Sequence, residues 1–236
     1  MNRTRGLLPD DDSAFSSKAV EKIRKACADL QYLLDQGYPS KSAATFTGNH
    51  YQLSARQSLA MTRSTSPTQA VSARKSKELA PDALNGQTVY IDGFNLIITL
   101  EVALSDGLLI RANDGTIRDL ADLRGSYRIL PQTLTAIEFT KDCLHALGVA
   151  KAVVLLDTPV SNSGRLKTQF YETEWNLELD VQLDKNPDTV LKTLPYVISA
   201  DSVILDHCIS WFNMVSYIIT RSEPFKNLSR FFSFHS

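Results

Sequence analysis

The chain has 236 residues, 43% hydrophobic and 22% charged, with a formal net charge of −1: enough apolar material for one large domain or two small ones around a real core. Its three cysteines, Cys27, Cys143 and Cys208, are far apart and odd in number, and its four histidines lack ligand spacing, which argues against a disulfide framework or a clustered zinc site. No run of 18 apolar residues occurs, and the opening MNRTRGLLPDDD puts three aspartates where a signal peptide needs apolar residues, so a cytoplasmic chain without a membrane partner is expected.

The first elements read as helices. Val20, Ile23, Cys27, Leu30 and Leu34 follow the 3-4-3-4 spacing of one helix face, with Lys18, Lys22, Arg24 and Lys25 around the rest, and Gly37 with Pro39 is a stop. A second helix should begin at Ser54, where Ser-Ala-Arg-Gln has the form of a capping box. A third, polar helix after Ser66-Pro67 carries Arg74, Lys75 and Lys77. Residues 1–85 are thus expected to form a small, basic, all-helical domain, with a boundary in the turn-rich stretch from Ala80 to Gly86. Up to Gly86 there are 12 Lys and Arg against 8 Asp and Glu; from Gln87 there are 13 against 18. A basic piece joined to an acidic one suits a protein that holds a polyanion with one part and a divalent cation with the other, although ordinary solvated surfaces also produce such a difference.

From Gly86 the texture changes. Thr88 to Ile91 is a β-branched and aromatic run that ends in Asp92-Gly93, and an apolar helical stretch follows from Phe94 to Leu104. Leu108 to Arg111 and Thr116 to Arg118 flank Asn113-Asp114-Gly115, a hairpin signal because Asp-Gly tolerates positive φ. Pro131 should open a helix that Gly148 closes. Ala152 to Leu156 reads as a fully buried strand ending at Asp157, Ser161 to Asn176 as helix, and Leu177 to Leu183 as a half-exposed strand. Pro187-Asp-Thr opens a short helix, Tyr196 to Ser199 is a strand ending near Asp201, a helix runs through Cys208 to Trp211, and Val215 to Ile219 is expected to be the last strand. Strands alternating with helices at these lengths predict a three-layer α/β domain over residues 86–236, with a mainly parallel sheet.

Three of the best strand candidates carry an aspartate at or just past their C-terminal end: Asp92, Asp157 and Asp201. In an open parallel sheet those ends line one edge, where ligands bind. Three carboxylates there repel unless a cation joins them, and oxygen-only ligands suit Mg²⁺ or Mn²⁺, which can lower the pKa of a bound water and neutralise a scissile phosphate. Aspartate also ends strands simply because its side chain bonds the turn backbone, so each position taken alone has a structural explanation.

Val89-Tyr-Ile-Asp-Gly-Phe-Asn-Leu-Ile97 resembles the opening of PIN-like and NYN-type nuclease domains, and Tyr196 to Leu205 with Val215 to Ile219 is similar to the late acidic motif of that class. The resemblance covers about Gly86 to Ser222. It implies that Asp92 and Asp201 are metal ligands and that Asn95 supports the site. More narrowly, Ile91 to Asn95, Asp114 to Asp119, Gly125 to Arg128 and Asp157 to Arg165 resemble an uncharacterised prokaryotic family with a helical N-terminal domain and such a PIN-like domain. This chain departs from the class in its second late acid, whose usual positions hold Val203 and Ile204; Asp206 lies five residues after Asp201. For the mid-domain acid, Glu101, Asp119, Asp122 and Glu138 compete.

The expected activity is metal-dependent phosphodiester hydrolysis, on RNA by analogy with the class. Asp92, Asp157 and Asp201 hold Mg²⁺ or Mn²⁺, with Asn95, Ser202 and Asp206 supporting them. Ser161, Ser163 and Arg165, at the start of a helix, are a candidate phosphate seat, though an N-cap loop with a surface arginine looks the same. Arg118 of the hairpin and Arg56, Arg63, Arg74 and Lys75 of the helical part are expected to hold nucleic-acid backbone. No Gly-x-Gly-x-x-Gly or Walker loop is present, and Phe94 stands where a haloacid-dehalogenase phosphatase needs a second aspartate. The rival expectation is a non-catalytic nucleic-acid-binding or regulatory protein on a degenerate PIN-like fold. Self-association stays open.

Overall fold

The computed structural model describes residues 5–121 and 125–235. Five helices come first: α1 (Asp11–Ala14), α2 (Ser17–Asp35), α3 (Ser40–His50), α4 (Ala55–Ser64) and α5 (Thr68–Ser76). After a 3-10 turn at Pro81–Leu84 follow β1 (Thr88–Asp92), α6 (Gly93–Leu104), β2 (Leu109–Arg111), β3 (Ile117–Asp119), α7 (Pro131–Ala146), β4 (Lys151–Asp157), α8 (Ser163–Glu172) and β5 (Glu178–Asp184). The chain ends through α9 (Pro187–Leu191), β6 (Val197–Ile198), α10 (Ser202–His207), α11 (Met214–Arg221), a second 3-10 turn and β7 (Phe231–Ser233).

Local chemistry accounts for many of these boundaries. Ser54 caps α4: its Oγ accepts the Gln57 N–H at 3.2 Å while Gln57 Oε1 accepts the Ser54 N–H at 3.0 Å. Pro131 opens α7, and Gly148, at φ +66°, ends the turn after it. Gly93 opens α6 because the helix starts against β4: a Cβ there would stand 2.6 Å from Leu156 Cδ2 and 2.8 Å from Val154 Cγ1.

Strands β5, β4, β1 and β6 form, in that order, a fully parallel sheet. Helices cover both faces. Val89, Ile91, Val154 and Leu156 pack into the large core with α6, α7 and α11, whereas Val153, Leu155 and Val197 pack with Leu191 of α9 and Ile204 and Leu205 of α10. The run Ala152 to Leu156 is apolar throughout because each alternate side chain meets a helix layer. The molecule is therefore an α/β protein built on a parallel four-stranded sheet.

The hairpin does not join that sheet. Strands β3, β2 and β7 make a second, three-stranded sheet, with β2 antiparallel to β3 and parallel to β7. Its two faces serve different cores: Leu109 and Ile117 point into the α/β core, while Ile110, with Leu108, Leu120 and Phe234, completes the core of α2, α3 and α4. The helical segment before residue 85 is thus closed by residues from the other side of the expected boundary.

Three expected elements differ. The segment Val215 to Ile219, read as the last strand, lies in helix α11: Met214, Val215, Ile218 and Ile219 are buried and Ser216, Tyr217 and Thr220 are not, a helical rather than an alternating period. The helix expected through Trp211 stops at His207, and Trp211 instead bridges the backbones of Glu78 and Val197. The helix expected over Ser161 to Asn176 is shorter, and α3 and β7 had no clear signal in the sequence. Among the described residues no helix is long and apolar enough to cross a membrane.

Candidate functional site

The parallel sheet places its acids by parity and register. Asp92 pairs with Leu155, and Asp157 pairs with Asp184. Leu155 faces the layer of α9 and α10, so Asp92 and Asp157, an even number of positions away, face the same layer. Asp157 stands two residues beyond the level of Asp92, about 7 Å along the strand direction. Strand β1 has β4 on one side and β6 on the other, so the chain leaves β1 toward one edge and later returns to its opposite flank. Crevices for ligands open at such reversals, outside the carboxyl ends of the strands.

Around Asp92 the side chains form a connected polar set. Asp92 is buried and caps α6, its Oδ1 accepting the Asn95 N–H at 3.4 Å, while Oδ2 accepts the Ser199 hydroxyl at 2.8 Å. Ser199 Oγ also accepts the Asp201 N–H at 3.0 Å, so one hydroxyl ties the two aspartates together. Asn95 reaches across to the turn after β6, its Oδ1 accepting the Ala200 N–H at 2.8 Å. Asp201 caps α10, accepting the N–H groups of Val203 at 2.7 Å and Ile204 at 3.3 Å. Both expected ligands are thus helix caps as well.

The electrostatics single out a fourth acid. Burial pushes the Asp92 carboxyl up to about 7, with Asp201 and Asp188 adding to the rise and the Ser199 hydroxyl opposing it. Burial raises Asp188 too, Asp201 reinforcing the shift and Lys192 opposing it; Asp157 is raised by burial, then by Asp188 and Asp184. Asp188, in the first turn of α9, therefore interacts with all three aspartates expected from the sequence. Nothing in its local sequence distinguishes it from a helix-start acid beside Pro187; only the folding of α9 over the sheet brings it to the edge. Among the described residues, no group of three His, Cys, Asp or Glu side chains stands close enough to hold one metal ion.

Beside this edge lies a cleft of about 750 Å³ between the helical layer and the α/β layer. Leu34, Tyr38 and Arg63 line one wall, and Asn95, Ile98, Asp201, Ser202 and Val203 line the other. Asp119 lines it as well, 2.9 Å from the Thr99 hydroxyl and accepting the Ala121 N–H at 2.7 Å. Of the competing mid-domain acids, Glu101 is fully buried against Arg5, Tyr127 and Thr133, Glu138 pairs with Lys141 on α7, and Asp122 lies outside the described residues. Asp119 alone of these three described acids borders the cleft.

Several residues expected to grip nucleic acid are spent inside the protein. Arg56 pairs with Asp11 at 2.9 Å and donates to the carbonyls of Gly6 and Leu120, which ties the first turn to α4. Arg74 lies buried between Asp114 at 2.6 Å and Asp206 at 2.7 Å, so Asp206 serves an ion pair rather than the sheet edge. Arg118 also pairs with Asp114 at 2.6 Å and donates to the carbonyls of Ala200 at 2.8 Å and Arg63 at 2.5 Å. Both backbone polar groups of Ala200 are therefore held, the N–H by Asn95 and the carbonyl by Arg118, which also lines the cleft. Ser161 exchanges hydrogen bonds with the Tyr127 backbone and Ser163 is buried, so that loop anchors the segment before α7 rather than presenting its hydroxyls. Lys75 and Arg165 are exposed, and Arg63 is partly so while donating to the Asp119 carbonyl at 2.6 Å.

Fold and site together define an α/β protein with an acidic sheet edge, one of whose acids, Asp201, lines a cleft against the helical layer. The chain belongs to the family described as "Domain of unknown function (DUF5616)", which matches residues 81–217. Residues 22–77 match a second family, described as "Protein of unknown function (DUF434)". An uncharacterized protein of Methanocaldococcus jannaschii is 34% identical over 185 residues, covering 78% of this chain and 88% of the relative. No solved structure matches.

Proposed function

We propose that this protein hydrolyses phosphodiester bonds of nucleic acid at the acidic sheet edge, with a divalent cation, on a PIN-like α/β domain. The observation that carries the reading is the gathering of acids at the sheet edge: Asp92 is buried there with its carboxyl raised to about 7, first by burial and then by Asp201 and Asp188, and no cation is among its main influences. A structural ion pair lowers an acid; this edge raises one, as sites awaiting a cation or a proton do.

The donor set is all oxygen, which fits Mg²⁺ or Mn²⁺. Because no three acids converge among the described residues, the fit is to a hydrated ion that keeps several waters and takes one or two carboxylates, the usual habit of Mg²⁺. Asp92 and Asp201, tied together by Ser199, would hold it, with Asp188 and Asp157 acting through its waters. When bound, the cation supplies an activated water and neutralises charge on a phosphate. The chain's own groups do the rest. Ser199 and Asn95 hold Asp92 and the Ala200 peptide in register, Arg118 fixes the Ala200 carbonyl, and Ser202 and Arg63 line the path along which a backbone would run.

A second reading, binding without cleavage, is favoured by the lack of a converged acidic triad among the described residues. One experiment separates the two: incubate mixed RNA and DNA pools with Mn²⁺, Mg²⁺ or chelator, using Asp92→Asn, Asp188→Asn and Asp201→Asn as controls. Metal-dependent cleavage lost in the variants is expected. Nucleic acid bound but uncut, with unchanged affinity in the variants, would move the protein to the binding class. RNA is the expected substrate, and the DNA pool tests that choice.

A further inference from the structure

We infer that Lys77, at the end of α5, is a positioning residue for the acidic edge: by capping the last turn of α10 it fixes Asp201, which caps the first. This rests on the reading of Asp201 as a cation ligand and adds the part of the chain that sets its place. The Lys77 ammonium donates to three carbonyls, those of Leu205 at 2.7 Å, Cys208 at 3.0 Å and Asp206 at 3.1 Å. A helix end leaves such carbonyls without an N–H partner, and a cation there also meets the negative end of the helix dipole. An ammonium has three donors, so Lys77 spends them all on this turn. At the other end the Val203 and Ile204 N–H groups both donate to Asp201 Oδ1, and Oδ2 carries no hydrogen bond among the described residues.

Helix α10 needs both ends. It has six residues, too few to stand as an isolated helix, so its shape is imposed from outside. Much of that hold comes from α5 and the residues just after it. Arg74 pairs with Asp206 at 2.7 Å, and its carbonyl accepts Trp211 Nε1 at 2.7 Å. The Trp211 N–H donates to the Lys77 carbonyl at 3.1 Å, and the Trp211 carbonyl accepts the Leu79 N–H at 2.8 Å. The segment from Arg74 to Leu79 is thus stitched to the far end of the helix whose first turn carries Asp201. When the last turn of α10 frays, the two N–H groups that orient Asp201 lose their register, and Oδ2 loses its fixed direction.

The test is Lys77→Cys, measured before and after 2-bromoethylamine converts its thiol to an aminoethyl thioether, which restores an ammonium on a stem of lysine's length. Cys27, Cys143 and Cys208 are all buried away from the reagent. In the unmodified variant, amide hydrogen exchange at Val203 and Ile204 should quicken roughly 2- to 30-fold, the worth of one cap. Mn²⁺ affinity, titrated without nucleic acid, should fall roughly 10- to 100-fold, the usual effect of losing a partner that orients a metal ligand. The kcat for cleavage should fall with it while KM for nucleic acid holds. Aminoethylation should return all three toward wild type. Should Lys77→Cys not fold, Lys77→Arg, which keeps charge and donors in another shape, carries the same readouts with smaller shifts. Faster exchange with unchanged Mn²⁺ affinity would overturn the positioning role, and unchanged exchange would overturn the cap itself. A wild type that binds Mn²⁺ without cutting would remove the nuclease and leave the positioning of Asp201 standing; one that binds no Mn²⁺ would remove both.

Discussion

Two clusters of buried charge lie a short distance apart in this molecule, and they behave in opposite ways. At the hairpin tip, burial alone would raise Asp114, but Arg118, Thr116 and Arg74 more than reverse this and hold its carboxyl below the ordinary range. Its oxygens accept from both guanidinium groups and from the Thr116 hydroxyl and N–H. At the sheet edge, Asp92 is equally buried but its charged neighbours are Asp201 and Asp188, and its carboxyl rises to about 7. The first cluster is complete within the chain and joins α5, the hairpin and α10 into one framework. In the second, Lys192 stands by Asp188 and Arg118 by Asp201, but among the described residues no cation is a main influence on Asp92. A buried acid that its own protein leaves unneutralised marks where something from outside is expected to bind.

Removing the acid from each cluster should therefore have opposite effects on stability. Asp114→Asn leaves two buried guanidinium groups short of a counter-charge and should destabilise the fold by about 3–5 kcal/mol, read as a lower urea midpoint. An unchanged midpoint would erase the distinction. Asp92→Asn should instead raise the melting temperature by several degrees at pH 8. The sign follows from the shift: between about 3.8 and 7 the folded protein holds a proton that the unfolded chain has lost, so stability falls as pH rises through that window. The gain from Asp92→Asn should accordingly shrink toward pH 4, and a gain independent of pH would point to packing instead.

Millimolar Mn²⁺ or Mg²⁺ should raise the melting temperature of the wild type by a smaller amount, more at pH 8 than at pH 6 because cation and proton compete for the same carboxylates. The effect should vanish in Asp92→Asn; an equal response in both proteins would detach the cation from this edge. Smallest of all, Arg165→Ala should leave the urea midpoint unmoved. If Arg165 touches the nucleic-acid backbone from its exposed place on α8, that change lowers the slope of log affinity against log salt by up to about one. An unaltered slope assigns Arg165 to the solvated surface.

The contrast between the clusters also explains what could be read ahead of the structure. The strand-end aspartates announce themselves because a β-branched run stopping at Asp is a local pattern, and parity then fixes the face of Asp92 and Asp157. The arginines mislead for the opposite reason. Arg56, Arg74 and Arg118 look like a basic surface in the chain, and only folding reveals the acids that consume them: Asp11, Asp206 and Asp114. Val215 to Ile219 was ambiguous because five mostly apolar residues suit a buried strand and a buried helix alike; the depth of Met214 beside Val215, a turn away from Ile218 and Ile219, decides for the helix.

What the sequence determines alone is what depends on near neighbours: the Ser54 capping box, the Asp-Gly hairpin turn, the Pro131 helix start, the alternation of strands with helices and the acids that end β1 and β4. These are set within a few residues by backbone geometry and hydrogen bonding. What only the tertiary structure decides is which distant groups meet. Asp188 joins Asp92 because α9 folds over the sheet, and Asp119 reaches the cleft because the hairpin forms its own sheet. Those meetings arise from burying apolar faces far apart in the chain, a non-directional force whose pairings no local window of residues contains.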